Sequence, residues 1–151
     1  MNRQKGQGIL EFAIILPLFL LFSIGILFFG MMFADYVALN SIASRAAREA
    51  SLITKEDYMK SGYNYDKVRQ KFSEQTLPAS MYTWNYKSDD NFRIVYEKSD
   101  QAVLVELTAE IDKNSGFYPA VGNFLQGSAL EKLKVSYRMF SEETLPEQGT
   151  K

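Results

Sequence analysis

The chain has 151 residues and a net charge of −1, from 17 Lys and Arg against 18 Asp and Glu. That is enough for one modest domain, and it lacks the basic surface expected of a nucleic-acid binder. Cys and His are both absent, which excludes disulfides, zinc held by Cys and His, thiol nucleophiles and His-dependent triads, and leaves carboxylates, Lys, Tyr or Ser for any chemistry.

From the N-terminus, Arg3 and Lys5 precede an uncharged run, FAIILPLFLLFSIGILFFGMMFA, that extends over residues 12–34. At about 1.5 Å per residue a helix of that length reaches roughly 34 Å, enough to cross a hydrocarbon layer of about 30 Å. Every helical face is apolar, unlike the single stripe of a core helix. The run therefore predicts a membrane span, with Arg3 and Lys5 on the cytoplasmic side and residues 35–151 outside. A secretory signal peptide is the competing reading, but its apolar region is ordinarily about 7–15 residues long. Glu11 stands at the edge of the run. Read alone, it is an interfacial carboxylate at a helix start, where the helix dipole favours it.

Gly6-Gln7-Gly8-Ile9-Leu10-Glu11-Phe12 followed by the apolar run resembles the processing site of type IV prepilins, in which a short basic leader ends in Gly and a Glu follows five residues later. The aromatic residue after Glu11, the Leu-Pro at 16–17 and the Ala- and Arg-rich continuation to Ser51 resemble the TadE-type minor pilins of the tight-adherence (Tad/Flp, type IVc) pilus system, over roughly residues 6–50. The resemblance implies that residues 1–6 are a leader removed by a prepilin peptidase after Gly6, that Gln7 carries the new α-amino group, and that Glu11 aids recognition or pairs with the amine of a neighbouring subunit. The pairing has a physical basis, since an ammonium and a carboxylate near the membrane interior each lower the cost of burying the other. Gln7 departs from the small or aromatic residues common at that place, and its cyclisation to pyroglutamate would remove the charge.

Pro17 lacks an N–H and is expected to kink or loosen the helix near Ala13. Two readings stand, a tolerated membrane proline or a flexible point that helps a subunit leave the bilayer. Gly30, Ala34 and Ala38 recur every four residues and form a small-residue stripe for close helix packing. Tyr36, Leu39, Ile42, Ala43, Ala46 and Ala50 continue helical spacing beyond the span, so one helix is expected from about Leu10 to Leu52, within a helical region 7–53. Its outer half is either a plain stalk or a packing surface for the chain's own domain and for other subunits.

Residues 54–140 are expected to form an exported α+β part. Residues 54–63 read as a loop. Asn64 then caps a short helix with Tyr65, Val68 and Phe72 on one face. Period-two alternation follows in residues 81–87, 92–97, 102–112 and 130–140. Residues 113–129, with Gly116, Pro119, Gly122 and Gly127, read as a loop with room for a turn of helix. Acidic residues on the outer face of the third strand and basic ones on the fourth predict adjacent antiparallel strands with cross-strand ion pairs. The fold class is thus α+β: a long N-terminal helix packed against a small antiparallel sheet of about four strands. Residues 141–151 read as a loose polar tail.

Glu106 and Glu110 share a strand face about 13 Å apart, too far to act on one bond. Asp89-Asp90-Asn91 lacks the spacing of a calcium loop and reads as a turn. No catalytic residue, metal site, cofactor or small-molecule substrate is predicted. The resemblance implies a minor pilin-like structural subunit, with the prepilin peptidase, other pilin subunits, the assembly machinery and the membrane as partners. The alternative is a single-pass anchored binding module outside the membrane.

Overall fold

The computed structural model describes residues 3–146, with the side chains of residues 3–7, 9 and 124 left aside. The expected leader residues Met1 and Asn2 and the last five residues of the expected tail lie outside the described residues. Helix α1 runs unbroken from Arg3 to Ser51, through Pro17. It begins seven residues before the expected Leu10, inside the expected leader.

Two different physical regimes share that helix. Residues 10–21 are exposed on every side, as are most residues to Ala34. From Met32 a single stripe is buried: Asp35, Leu39, Ile42, Ala43, Ala46, Ala47 and Ala50. The stripe repeats at three- and four-residue intervals, as a helix laid on one surface requires. Four of its members are Ala, so the helix axis comes close to the layer beneath it.

That layer is an antiparallel sheet on which α1 crosses β3 (Ala102–Ile111) and β4 (Lys132–Phe140). β3 is the central strand. β4 pairs along one of its edges from Ala102↔Phe140 to Glu110↔Lys132. The opposite edge is shared end to end by β2 (Phe92–Glu97), opposite residues 102–107, and by β1 (Tyr82–Thr83), opposite residues 110 and 111. The sheet therefore has four strands but is three strands wide. Val103, Val105, Leu107, Ala109 and Ile111 all point into the core, as the alternation predicts.

The first strand is much shorter than residues 81–87 suggest, because β2 already occupies the edge of β3 as far as Leu107. Asn91 adds two bonds to Thr108, through its carbonyl (2.8 Å) and its side-chain amide (2.9 Å). Only residues 109–111 of β3 remain beyond them, and β1 pairs with 110 and 111. Trp84 then serves in packing: its indole N–H donates to the Gln75 carbonyl (3.1 Å) and its ring lies 5.4 Å from that of Phe92.

Three expected loops are more ordered than the sequence suggests. Residues 54–63 contain helix α2 (Lys55–Lys60), capped by Thr54, whose hydroxyl accepts from the Asp57 N–H at 3.3 Å. Buried Tyr58 anchors it. Helix α3 (Asp66–Lys71) follows; Tyr65 is its N-cap by backbone geometry, while Asn64 accepts from the Asp66 N–H. Residues 113–129 hold helix α4 (Tyr118–Leu125), with Pro119 in its first turn. The tail is docked as far as Leu145, which is 1 % exposed. The Ser141 N–H donates to Gln101, and the Glu142 N–H to the last residue of α1.

Candidate functional site

The expected processing and assembly residues all lie on α1, which is continuous through Pro17. Gly6 and Gln7 fall in its first turns, and the side chain of Gln7 lies outside the described ones. Glu11 is one turn further on, the spacing that puts it on the same helical side as residue 7. Glu11 and Phe12 are exposed, Phe12 to 62 %. The most apolar 18-residue window of the helix has a mean hydropathy of 2.8, and none of its residues is fully buried by the rest of the chain. This helix is long and apolar enough to cross a membrane.

The small-residue stripe is divided by the fold. Gly30 and Ala34 are exposed, and a Cβ added at Gly30 would meet nothing within 4 Å. Ala38 is half-buried at the edge of the core. The chain's own sheet takes the neighbouring stripe of Ala43, Ala46, Ala47 and Ala50, so these four are unavailable to other subunits.

Sequence reasoning missed the role of Asp35. It treats this residue as the charge that closes the apolar run, yet the side chain is completely buried. One carboxylate oxygen, Oδ1, accepts from the Ala79 N–H at 2.8 Å; the other, Oδ2, accepts from the N–H groups of Met81 (3.0 Å) and Tyr82 (3.2 Å). Three backbone donors around one carboxylate make a charge-assisted clamp. It fixes the segment entering β1 to the helix at the point where the apolar run ends. The signal was present in the spacing: Asp35 lies four residues before Leu39 and seven before Ile42, on the core stripe. Tyr82, beside the clamp, donates to the Leu130 carbonyl at 2.6 Å. Burial, and then the Asp35 charge, raise its pKa.

On the outer sheet face, Lys132 pairs with Glu110 at 2.7 Å, the cross-strand pair expected between β3 and β4. The Glu110 hydrogen bond raises the pKa of Lys132. The other basic residues choose different partners: Arg93 of β2 pairs with Glu106 at 3.4 Å, and Arg138 reaches Glu97 and Asp100. Glu106 and Glu110 thus each hold their own cation. Asp89, in the expected turn, pairs with Arg69 at 2.5 Å.

Taken together, these features define a class: a small α+β head carried on the outer half of one long helix whose inner half is apolar all round. Residues 6–48 match the family model for TadE-like proteins. That part of the chain is therefore TadE-like, as the residues from Gly6 onward indicate, and the match ends within the helix, before the head. Comparisons with curated proteins and with solved structures give no match.

Proposed function

We propose that the protein is a minor pilin-like structural subunit of a Tad-type pilus, processed by a prepilin peptidase after Gly6 and assembled through α1. The observation that carries this reading is the coincidence of the TadE-like match with a helix that is largely exposed over its apolar half and committed to the head over its outer half. A subunit held by such a helix inserts with Arg3 and Lys5 in the cytoplasm and the head outside. After cleavage, Gln7 presents its amine one helical turn from the Glu11 carboxylate level. Withdrawal into a filament then exchanges lipid around residues 12–34 for the helices of other subunits, with Gly30 and Ala34 as the open close-approach points. Pro17 leaves the Ala13 carbonyl without its helical donor and supplies a compliant point in that half.

The test is the intact mass and N-terminal sequence of the full chain expressed with and without a prepilin peptidase. Loss of residues 1–6 only in the peptidase-bearing cells, abolished by Gly6→Leu, is the expected result. Retention of Met1 in the native host would replace the pilin reading with that of a permanently anchored binding module.

A further inference from the structure

Residues 114–130, between Lys113 and Glu131, are 17 residues without a charge. They contain α4, which meets the apolar run of α1. The Phe117 ring meets Phe28 edge-on with centroids 5.9 Å apart. Val121 and Leu125 share an apolar cavity of about 170 Å³ with Gly25, Phe28, Met32 and Met81. Phe28 lies seven residues, roughly 10 Å, before the Asp35 clamp along the helix, within the stretch that reads as the outer end of the span.

The outward side of α4 is also free of charge. Pro119, Ala120 and Asn123 are exposed, and Phe117 is 40 % exposed. The backbone around the helix is satisfied internally, with turns closed by Tyr118 N–H to Ser115, Ala120 N–H to Phe117, Ser128 N–H to Leu125 and Glu131 N–H to Ser128. Gly122 lets the Tyr118 ring lie over it, where a Cβ would stand 2.6 Å from the ring. An uncharged, aromatic-flanked, internally hydrogen-bonded helix beside a membrane span meets the requirements of the headgroup boundary.

We propose that α4 and its flanking turns form a second membrane contact: they lie in the outer headgroup and acyl boundary next to residues 25–32 and present Phe117, Pro119 and Ala120 to lipid. The head is thereby held on the membrane surface in one orientation, and α4 must leave the lipid together with α1 when a subunit is withdrawn. The inference rests on α1 spanning the bilayer, so its test carries a separate control for that.

The chain has no Cys, so single-Cys variants give unambiguous labelling. Ala120→Cys, Ser136→Cys on the exposed sheet face and Leu20→Cys in the apolar run are each labelled with an environment-sensitive fluorophore. The labelled full chains are reconstituted in vesicles of phosphatidylethanolamine and phosphatidylglycerol. Quenching by headgroup-proximal nitroxide lipids is expected to be at least about threefold stronger at residue 120 than at residue 136, with iodide quenching in the opposite order. If residue 20 is lipid-quenched while residue 120 behaves like residue 136, the α4 contact is overturned and the span survives. A residue 120 label shielded from both quenchers means that protein covers α4, which also overturns the proposal. If residue 20 is not quenched by lipids that carry the nitroxide deep in the acyl chain, the span reading fails and the α4 contact with it.

Discussion

Asp35 is the residue on which the junction between rod and head depends. Replacing it with Ala leaves three N–H groups, those of Ala79, Met81 and Tyr82, facing each other without an acceptor. The expected cost is about 3–5 kcal/mol, because each buried donor left unpaired costs about 1–3 kcal/mol and its partners relax only in part. Asp35→Asn keeps one acceptor oxygen and should cost less. Denaturant unfolding of the full chains in detergent, followed by Trp84 fluorescence, checks both. Two tyrosines make the opposite point. The Tyr65 hydroxyl is buried and makes no hydrogen bond among the described residues, and burial, with Tyr58 and Tyr96 nearby, raises its pKa strongly. Tyr65→Phe removes an unsatisfied group and should leave stability unchanged or raise it by about 0–1 kcal/mol, whereas Tyr82→Phe gives up the bond to Leu130 and should cost about 1 kcal/mol. Both phenols have folded pKa values above the unfolded value of about 10. The stability they contribute is complete below pH 10 and is lost as pH rises from there toward the folded values, since the unfolded chain releases protons first. Unfolding midpoints should be flat in this respect from pH 7 to 9 and fall above pH 10, with a shallower fall in Tyr65→Phe.

At the scale of elements, α1 carries two sets of small residues with separate duties. Ala46 and Ala47 are fully buried against the sheet, and enlarging either to Leu overpacks the closest helix–sheet approach, at about 1–3 kcal/mol. Ala34 is exposed, so Ala34→Leu should leave the head's unfolding midpoint unchanged while reducing incorporation into pili, measured as the pilus-bound fraction of protein after shearing. Equal loss of stability in both variants would end the division of labour proposed for the stripe. The same scale explains the misread elements. The alternation in residues 81–87 is genuine, but strand formation needs a free edge, and Asn91 and β2 leave only residues 109–111 at the end of β3. The polar run after Phe140 reads as a tail because its few apolar members are scattered, yet Leu145 enters the core and Ser141 bonds to the β2–β3 turn.

For the whole molecule, the decisive feature is that one helix carries an apolar half, long enough to cross a membrane, and an amphipathic half laid on the head. Its apolar half is stable in lipid or in a bundle of like helices, and its amphipathic half is stable only under the head. Glu11→Ala removes the carboxylate near the N-terminus that the proposed cleavage would create and is expected to reduce processing or assembly, scored as the ratio of cleaved to uncleaved chain and as the pilus-bound fraction. Unchanged values in both assays would remove the role proposed for Glu11.

Hydrophobic patterning alone determined the long helix, its apolar half, the three longer strands and their inward faces, because burial acts on every second or every third and fourth residue and leaves that period in the sequence. The short run from Gly6 to Phe12 marked the TadE-like segment for the same local reason, since its residue types and spacing lie within two helical turns. Tertiary structure alone decided which edge of β3 each strand took, that Asp35 is a buried clamp and not a boundary charge, and that α4 meets the apolar half of α1. Those outcomes depend on which backbone donors, strand edges and apolar faces meet between separate segments of the chain, and a one-dimensional pattern holds no record of such meetings.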